Sequence, residues 1–327
     1  MELELRHLRV VCAIADTGSV TKAAAALGVS QPALTTQLRR IERAVGGELF
    51  LRGRAGAEPT ALGEFVLARA RALLPAVDEL SRSARREASA GQDIERVRIV
   101  AVPGPVMAGL LPRLRAMVPD AEITAETGHS AVRLTELVAT GCADCALIGE
   151  PPGYEQPPAV SVECHEVVTE PVFAALPATH PLAVPEEVEL AALAAEPWAL
   201  PPLADDRLWE ALQAVTGQVG PVPQVVYQAD GGALIDLVRT GQAITLVQPT
   251  IAEHPGVVIR PIAGAPVRWR HKILWHRHSP LAALGDSLLR FAIAAYADAA
   301  ERSPAYRAWR ARHPVERHVV VSSSPTG

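Results

Sequence analysis

Apolar residues at Leu5, Leu8, Cys12 and Ala15 recur at intervals of 3, 4 and 3, which lays them along one face of a helix that Gly18 closes. Ser19 stands where it can cap a second helix through the alanines at 23–26, and Gly28 admits the left-handed turn that follows. A third helix starts at Ser30. Pro32 falls in its first turn, where a missing N–H is harmless, and Leu34, Leu38, Ile41 and Val45 repeat at 4, 3 and 4 until Gly46 and Gly47 stop it. Two short helices about a tight turn form a helix-turn-helix pattern, and the use of such a pair depends on what the third helix turns away from its core. Here Pro32, Thr36, Arg39, Arg40 and Arg43 fall opposite the leucine stripe, with Gln31 and Thr35 on its flank. Gln pairs bidentately with adenine, a small apolar surface touches a thymine methyl, and Arg meets guanine or phosphate, so the face suits a major groove. The competing explanation is a solvated arginine face on an ordinary helical hairpin.

Leu49, Phe50, Leu51 and Arg52, followed by a Gly-rich stretch to Pro59, predict a short hairpin wing, with Arg52 and Arg54 beside its tip and Thr60 capping the next helix. That helix is long. Leu62, Val66, Ala70, Leu73, Val77, Leu80 and Ala84 come close to a heptad seam, which calls for a partner helix, although packing within the chain is the alternative. Pro75 removes one backbone hydrogen bond and predicts a kink.

From Val97 the texture changes to short β-branched runs alternating with helical stretches, the pattern of an α/β domain with a largely parallel sheet. Strands are expected near 97–102, 121–127, 143–148, 167–176, 222–228, 243–248, 256–261 and 267–276. Helices are expected near 104–117, 130–140, 189–195, 205–216, 230–240 and 281–302. Residues 303–327 are polar enough to predict a partly disordered tail, despite a basic aromatic cluster of Tyr306, Arg307, Trp309, Arg310 and Arg312.

The 327 residues exceed what one compact core usually holds, so more than one domain is expected. Hydrophobic residues make up 49% and charged residues 20%, with a mean hydropathy of +0.16 and no long uncharged apolar run, which excludes disorder and a membrane span. No export signal is legible at the first residues, so the reducing cytoplasm is the expected compartment. The net charge of −5 is unevenly spread: residues 1–92 hold 13 Lys and Arg against 10 Asp and Glu, and only this front end is basic.

Cys142 and Cys145 make a C-x-x-C, with Cys164 and His165 further on, yet zinc normally needs two such pairs at defined spacing. Cys145 falls in an expected buried strand and Cys12 on a core stripe, so cysteine reads here as a small hydrophobe, and neither metal nor cofactor is expected. No nucleophile elbow, phosphate loop or metalloprotease motif appears. Trp198 and Trp209 read as core.

The segments Leu5-Arg-His-Leu-Arg, Gly18-Ser-Val-Thr-Lys-Ala-Ala-Ala-Ala-Leu, Val29-Ser-Gln-Pro-Ala-Leu-Thr-Thr-Gln-Leu, Ile41-Glu, Leu49-Phe-Leu-Arg and Pro59-Thr-Ala-Leu-Gly-Glu resemble the LysR-type transcriptional regulators. The likeness is dense over about the first 65 residues, and the later order of elements is similar to the same family's effector domain as far as residue 302. It implies a multidomain α plus α/β chain: an N-terminal winged helix-turn-helix at 1–60, a long linker and dimerisation helix at 61–90, and a C-terminal two-lobed, periplasmic-binding-protein-like α/β effector domain at 91–302. Lobe I would span about 94–166 plus 267–302 and lobe II about 167–266, with the tail at 303–327 outside the likeness.

By matched position the resemblance implies that Gln31, Pro32, Thr35 and Thr36 read bases of double-stranded DNA, while Ser19, Lys22, Arg39, Arg52 and Thr60 hold phosphates. Many members carry arginine where this chain has Thr36. It further implies self-association through Leu62, Val66, Leu73, Val77 and Leu80, as a dimer that pairs into a tetramer, with RNA polymerase as a further partner. A small-molecule effector would lie between the lobes, near Pro103, Gly104, Pro105, Ser130, Glu150, Asp205, Gln248 and Thr250. Pro103-Gly104-Pro105 offers only backbone where several members present a hydroxyl to a ligand carboxylate, and Glu150 and Asp205 point to a cationic or hydroxyl-rich ligand instead. The expected function is an effector-responsive, sequence-specific DNA-binding regulator with no enzymatic activity. A small-molecule binding or transport receptor is the alternative, and an enzyme built on the same lobes ranks last.

Overall fold

The computed structural model describes residues 3–53, 56–88, 94–155, 157, 159–202, 207–219 and 223–313, in two compact units, Met1–Ala90 and Gly91–Gly327. The first unit runs α1 (Leu5–Thr17), α2 (Val20–Ala26), α3 (Gln31–Val45), β1 (Phe50–Gly53), β2 (Gly56–Pro59) and α4 (Ala61–Ala88). Ser19 caps α2 and Ser30 caps α3, each side chain accepting from the backbone N–H three residues on. β1 and β2 form the antiparallel wing, Phe50 opposite Pro59. Val11, Ile14, Leu34, Leu38, Ile41 and Leu49 have no exposed surface and form the centre of this unit's core. Gly63 lets α4 start hard against the wing, because a methyl there would stand 2.1 Å from the Leu49 carbonyl oxygen.

The start of α4 belongs to that core, through Val66, Leu67 and Ala70, with Leu62 packed beside them. This corrects the expected seam: Leu62 and Val66 are covered by their own unit. Leu73 and Leu80 remain exposed, and Phe65, absent from that seam, joins them at 61% exposure. The helix continues past Pro75 without a break.

The second unit begins with β3 (Arg96–Ala101), α5 (Pro105–Met117), β4 (Glu122–Thr127), α6 (Ala131–Ala139), β5 (Cys145–Glu150), β6 (Val162–Pro171) and β7 (Phe173–Pro177). It continues with α7 (Leu190–Ala194), β8 (Pro197–Leu200), α8 (Leu208–Val219), β9 (Gln224–Gln228), α9 (Gly231–Arg239), β10 (Thr245–Val247) and β11 (Val257–Pro261), and ends with β12 (Arg268–His276), α10 (Gly285–Arg302) and α11 (Pro304–Arg312). One lobe is a five-stranded sheet in the order β4-β3-β5-β12-β6. The other holds a three-stranded sheet, β10-β7-β11, and the pair β8-β9.

The expectation of a largely parallel sheet is overturned. β3 runs parallel to β4 and β5, but β12 is antiparallel to both β5 and β6, and β7 is antiparallel to both its neighbours. The cause is the chain's passage between lobes: β6 carries it out and β12 brings it back, so the two crossing strands lie side by side in opposite directions. The single strand expected at 167–176 is likewise two. It breaks at Val172, whose N–H donates to the Val267 carbonyl (3.0 Å) on the returning path. Beyond the break, Phe173 and Ala175 face the core shared with α5 and α10, while Val172, Ala174 and Leu176 face a second core around Trp198.

Residues 303–312 are no loose tail. Ser303 caps α11 and its hydroxyl donates to the Pro249 carbonyl (2.6 Å); Tyr306 and Trp309 are buried against Phe173, with ring centroids at 6.0 and 6.1 Å. Spacing three apart puts both aromatics on one face, so a composition that looks polar overall is amphipathic in a helix. Arg312 pairs with Glu186 and Glu187 (3.4 Å each). Residues 314–327, the rest of the expected tail, lie outside the described residues.

Candidate functional site

The first candidate surface is the outer side of α3. Burial of Leu34, Leu38 and Ile41 fixes the roll of the helix, which leaves Gln31, Pro32, Thr36, Arg39, Arg40 and Arg43 exposed and Thr35 half-buried. Gln31 Nε2 donates to Thr35 Oγ1 (3.2 Å), which holds the amide along the helix edge. Thr36 Oγ1 donates back to the Pro32 carbonyl (2.9 Å), so towards a base this residue offers a methyl and an acceptor, no free donor.

Of the expected phosphate contacts, Lys22 is exposed in the first turn of α2, and Ser19 uses its oxygen to accept from the Lys22 N–H (3.4 Å). A cation and unsatisfied N–H groups at a helix start together attract an anion. Thr60 is a correction. Its hydroxyl donates to the Glu48 carbonyl (2.7 Å) and its N–H to the Leu49 carbonyl (3.0 Å), so both of its donors are taken by the segment that leads into β1. Arg52 sits on β1; its side chain and residue Arg54 lie outside the described residues.

The second candidate site is a cavity of about 470 Å³ within the second unit. It is bounded by the loop after β3 (Val102–Pro105), by the ends of β8 and β10, by α8 and the start of α9, and by Val172 and Trp269 on the two crossing paths. Strand ends facing a crevice are where α/β sheets bind ligands. Pro103, Gly104, Pro105, Gln248 and Thr250 all line it. Gln248 Nε2 donates to the Pro103 carbonyl (3.4 Å), a contact from one lobe to the other across the cavity.

Two expected residues are elsewhere. Ser130 does not line the cavity; it caps α6, accepting from the Arg133 N–H (3.0 Å). Glu150 is buried and ion-paired with Lys272, which removes the ground for expecting it to hold a cationic ligand. Asp205 lies outside the described residues. Trp209, expected in the core, is half-buried on α8 and forms part of the cavity wall, whereas Trp198 is core, its indole N–H donating to the Leu193 carbonyl (2.9 Å). Sequence reasoning also missed Trp269, Leu212, Leu234 and Ile235 of the wall, because nothing in a strand or helix repeat distinguishes an apolar side chain facing a cavity from one facing a core.

Among the described lining residues the ionisable groups are His129 and Asp230, which contact each other at the edge (3.1 Å), an ion pair when the imidazole is protonated. Trp269 lies so close over Gly149 that a methyl there would come within 2.1 Å of the indole nitrogen. Neither Trp269 Nε1 nor Thr250 Oγ1 has a hydrogen-bond partner among the described residues, although both atoms are buried.

Cys145 and Cys164 are poorly suited to thiolate chemistry. Burial pushes the Cys145 and Cys164 thiols up, the reverse of what a nucleophilic or metal-binding thiolate needs, and Cys142 Sγ accepts from the Thr140 hydroxyl (3.4 Å). No helix among the described residues is long and apolar enough to cross a membrane.

Two family models match the chain: one described as a bacterial regulatory helix-turn-helix protein, lysR family, over residues 5–64, and one described as a LysR substrate binding domain over residues 90–297. A small neutral protease regulatory protein of Streptomyces coelicolor is 39% identical over 307 residues, covering 93% of this chain and 96% of that protein. The Hca operon transcriptional activator HcaR of Escherichia coli is 30% identical over 272 residues, covering 80% and 88%. Among solved structures, CbnR, a LysR family transcriptional regulator, aligns with a TM-score of 0.65 at 21% identity, covering 89% of this chain and 99% of its own. Full-length CbnR complexed with its target DNA aligns at 0.64 and 22%, covering 89% and 100%.

Proposed function

Because the chain belongs to the LysR family of DNA-binding transcriptional regulators, we propose that α3 lies in the major groove of its operator and that a small molecule in the cavity of the second unit alters operator binding. The observation that carries the reading is the division of α3 into a fully buried leucine side and an exposed side of Gln31, Pro32, Thr36 and Arg39. CbnR, a structural relative, is known in complex with its target DNA. In this reading Gln31 and Pro32 read base edges, Thr35 fixes the Gln31 amide, and Ser19, Lys22, Arg39 and Arg52 hold phosphates. The chain acts as a cytoplasmic switch rather than a catalyst, with RNA polymerase as a further partner.

Footprinting on the neighbouring intergenic DNA tests the reading as a whole, with half-sites expected about 10–10.5 bp apart or at a multiple of that spacing. Gln31→Ala is expected to cost roughly 1–3 kcal/mol on the operator and to relax one base position. Arg39→Ala should weaken operator and random DNA alike and lower the salt slope by about 1. Equal losses on both DNAs for Gln31→Ala would remove the base-reading role.

Two such heads need a dimer, and the exposed apolar residues of α4 supply its seam: Phe65, Leu73 and Leu80 at 61%, 52% and 69% exposure. Pairing the resulting dimers gives a tetramer. Leu73→Asp combined with Leu80→Asp is expected to raise the dimer dissociation constant by about 100-fold, the effect of losing a central apolar anchor. Sedimentation velocity measures it, and an unchanged dimer would exclude this seam.

A further inference from the structure

We infer that the cavity binds an uncharged, largely apolar small molecule; calling it the effector rests on the regulator reading above. A volume of about 470 Å³ suits a small organic molecule. Its wall is built from aromatic and aliphatic side chains, with the faces of Trp209 and Trp269 and the branched chains of Leu212, Leu234 and Ile235. Each removes apolar ligand surface from water, at about 25 cal/mol per Å².

The charges of the described wall disfavour an anion. No described lining residue is Lys or Arg, and the one carboxylate, Asp230, faces the same space. α5 opens into the cavity with Pro105 at its first position, which removes the N–H that a ligand carboxylate would use there. For a cation, the carboxylate among the described lining residues is Asp230, at the edge and shared with His129 (3.1 Å), while Glu150 lies outside the wall and is paired with Lys272. An anion drawn into this wall would lose its hydration with no described cationic side chain to replace it.

The polar side chain that bridges the cavity carries no formal charge: Gln248, whose Nε2 donates to the Pro103 carbonyl (3.4 Å). Trp269 is 7% exposed and its indole nitrogen is buried over Gly149, so the residue adds apolar surface to the wall.

The test uses two fluorescent probes that differ by one sulfonate: neutral N-phenyl-1-naphthylamine and anionic 8-anilino-1-naphthalenesulfonate. Titrated into the full-length chain, the neutral probe is expected to bind at least about tenfold more tightly than the anion. Ile235→Trp, which fills the cavity, should weaken the neutral probe by at least about tenfold, with Ile251→Trp as a second filling variant and a thermal melt to check that each folds. Equal or tighter binding of the sulfonate, no binding of the neutral probe, or binding that neither filling variant changes would overturn the inference. Retention of the same wild-type preparation on operator DNA reads the regulator proposal separately: lost probe binding with DNA retained sinks the ligand class alone.

Discussion

Replacing Trp309 by alanine is expected to lower the stability of the second unit by roughly 3–5 kcal/mol, the range for deleting a large aromatic from a packed core. Trp309 is 3% exposed, packs edge-on to Phe173, and stacks with Tyr306 and with His313, the last at 4.4 Å between centroids and 18° between planes. Alanine would leave a void between α11 and the three-stranded sheet that the short helix cannot close without losing its Ser303 cap. For a unit of this size each kcal/mol moves the midpoint by about 2–4 °C, so a fall of about 6–20 °C is expected in a calorimetric scan. Arg307→Ala, on the exposed side of the same helix, should stay within about 0.5 kcal/mol. Similar small effects from both substitutions would mean that α11 contributes nothing to the core.

Glu170→Ala should have a comparable effect for a different reason. Glu170 has no exposed surface, and its two carboxylate oxygens are shared: His271 Nε2 lies 2.7 Å from one, and the Tyr296 hydroxyl donates to the other at 2.6 Å. With the single Tyr296 proton committed to Glu170, the Tyr306 hydroxyl donates to the Tyr296 oxygen (3.0 Å), so the network joins β6, β12, α10 and α11. Deleting the carboxylate strands two buried groups at once, with an expected loss of about 3–5 kcal/mol in urea unfolding. Tyr296→Phe keeps the carboxylate and removes the hydroxyl's bonds to Glu170 and Tyr306 without opening a cavity, and should cost about 1–3 kcal/mol. Equal small losses for both variants would show that the carboxylate is not the centre of the network.

The same network has a pH signature. Burial is the first cause raising both phenols, and the Tyr306 hydroxyl is pushed up to about 12 from its ordinary 10.0. A raised value in the folded chain means that its stabilisation is complete below pH 10 and is lost as the pH climbs through about 12. Alkaline unfolding curves of Tyr306→Phe should therefore fall less steeply across that interval than those of the unaltered chain.

Local chemistry made the head unit legible. Ser19, Ser30, Gly18 and the 3 and 4 spacing of Leu34, Leu38 and Ile41 fix α1 to α3 with contacts only a few residues apart, and the face these leave outward followed directly. Thr60 shows where that logic stops: as a helix cap and as a phosphate ligand it has the same sequence signature, and only the Glu48 carbonyl decides which use takes the hydroxyl. In the second unit the alternation of strands and helices was visible, but strand direction was not, because β12 acquires its neighbours β5 and β6 from over a hundred residues away. Glu150 looked free for a ligand until the structure placed Lys272 beside it, on a strand paired across the sheet. The cavity wall was the least legible part, since Trp269 and Ile235 owe their role to a space that exists only after the lobes have formed.

The seating of α11 bears on how this chain can be handled. A reporter or affinity tag joined at residue 302 would strip away the wedge that holds Phe173 and the Pro249 turn, and would loosen the floor of the cavity at Thr250. The same tag attached after residue 313 would leave that wedge in place. Fusions made at the two points should therefore differ in small-molecule response even where both are retained on DNA, and signal reported from the shorter one would describe a mechanically different switch.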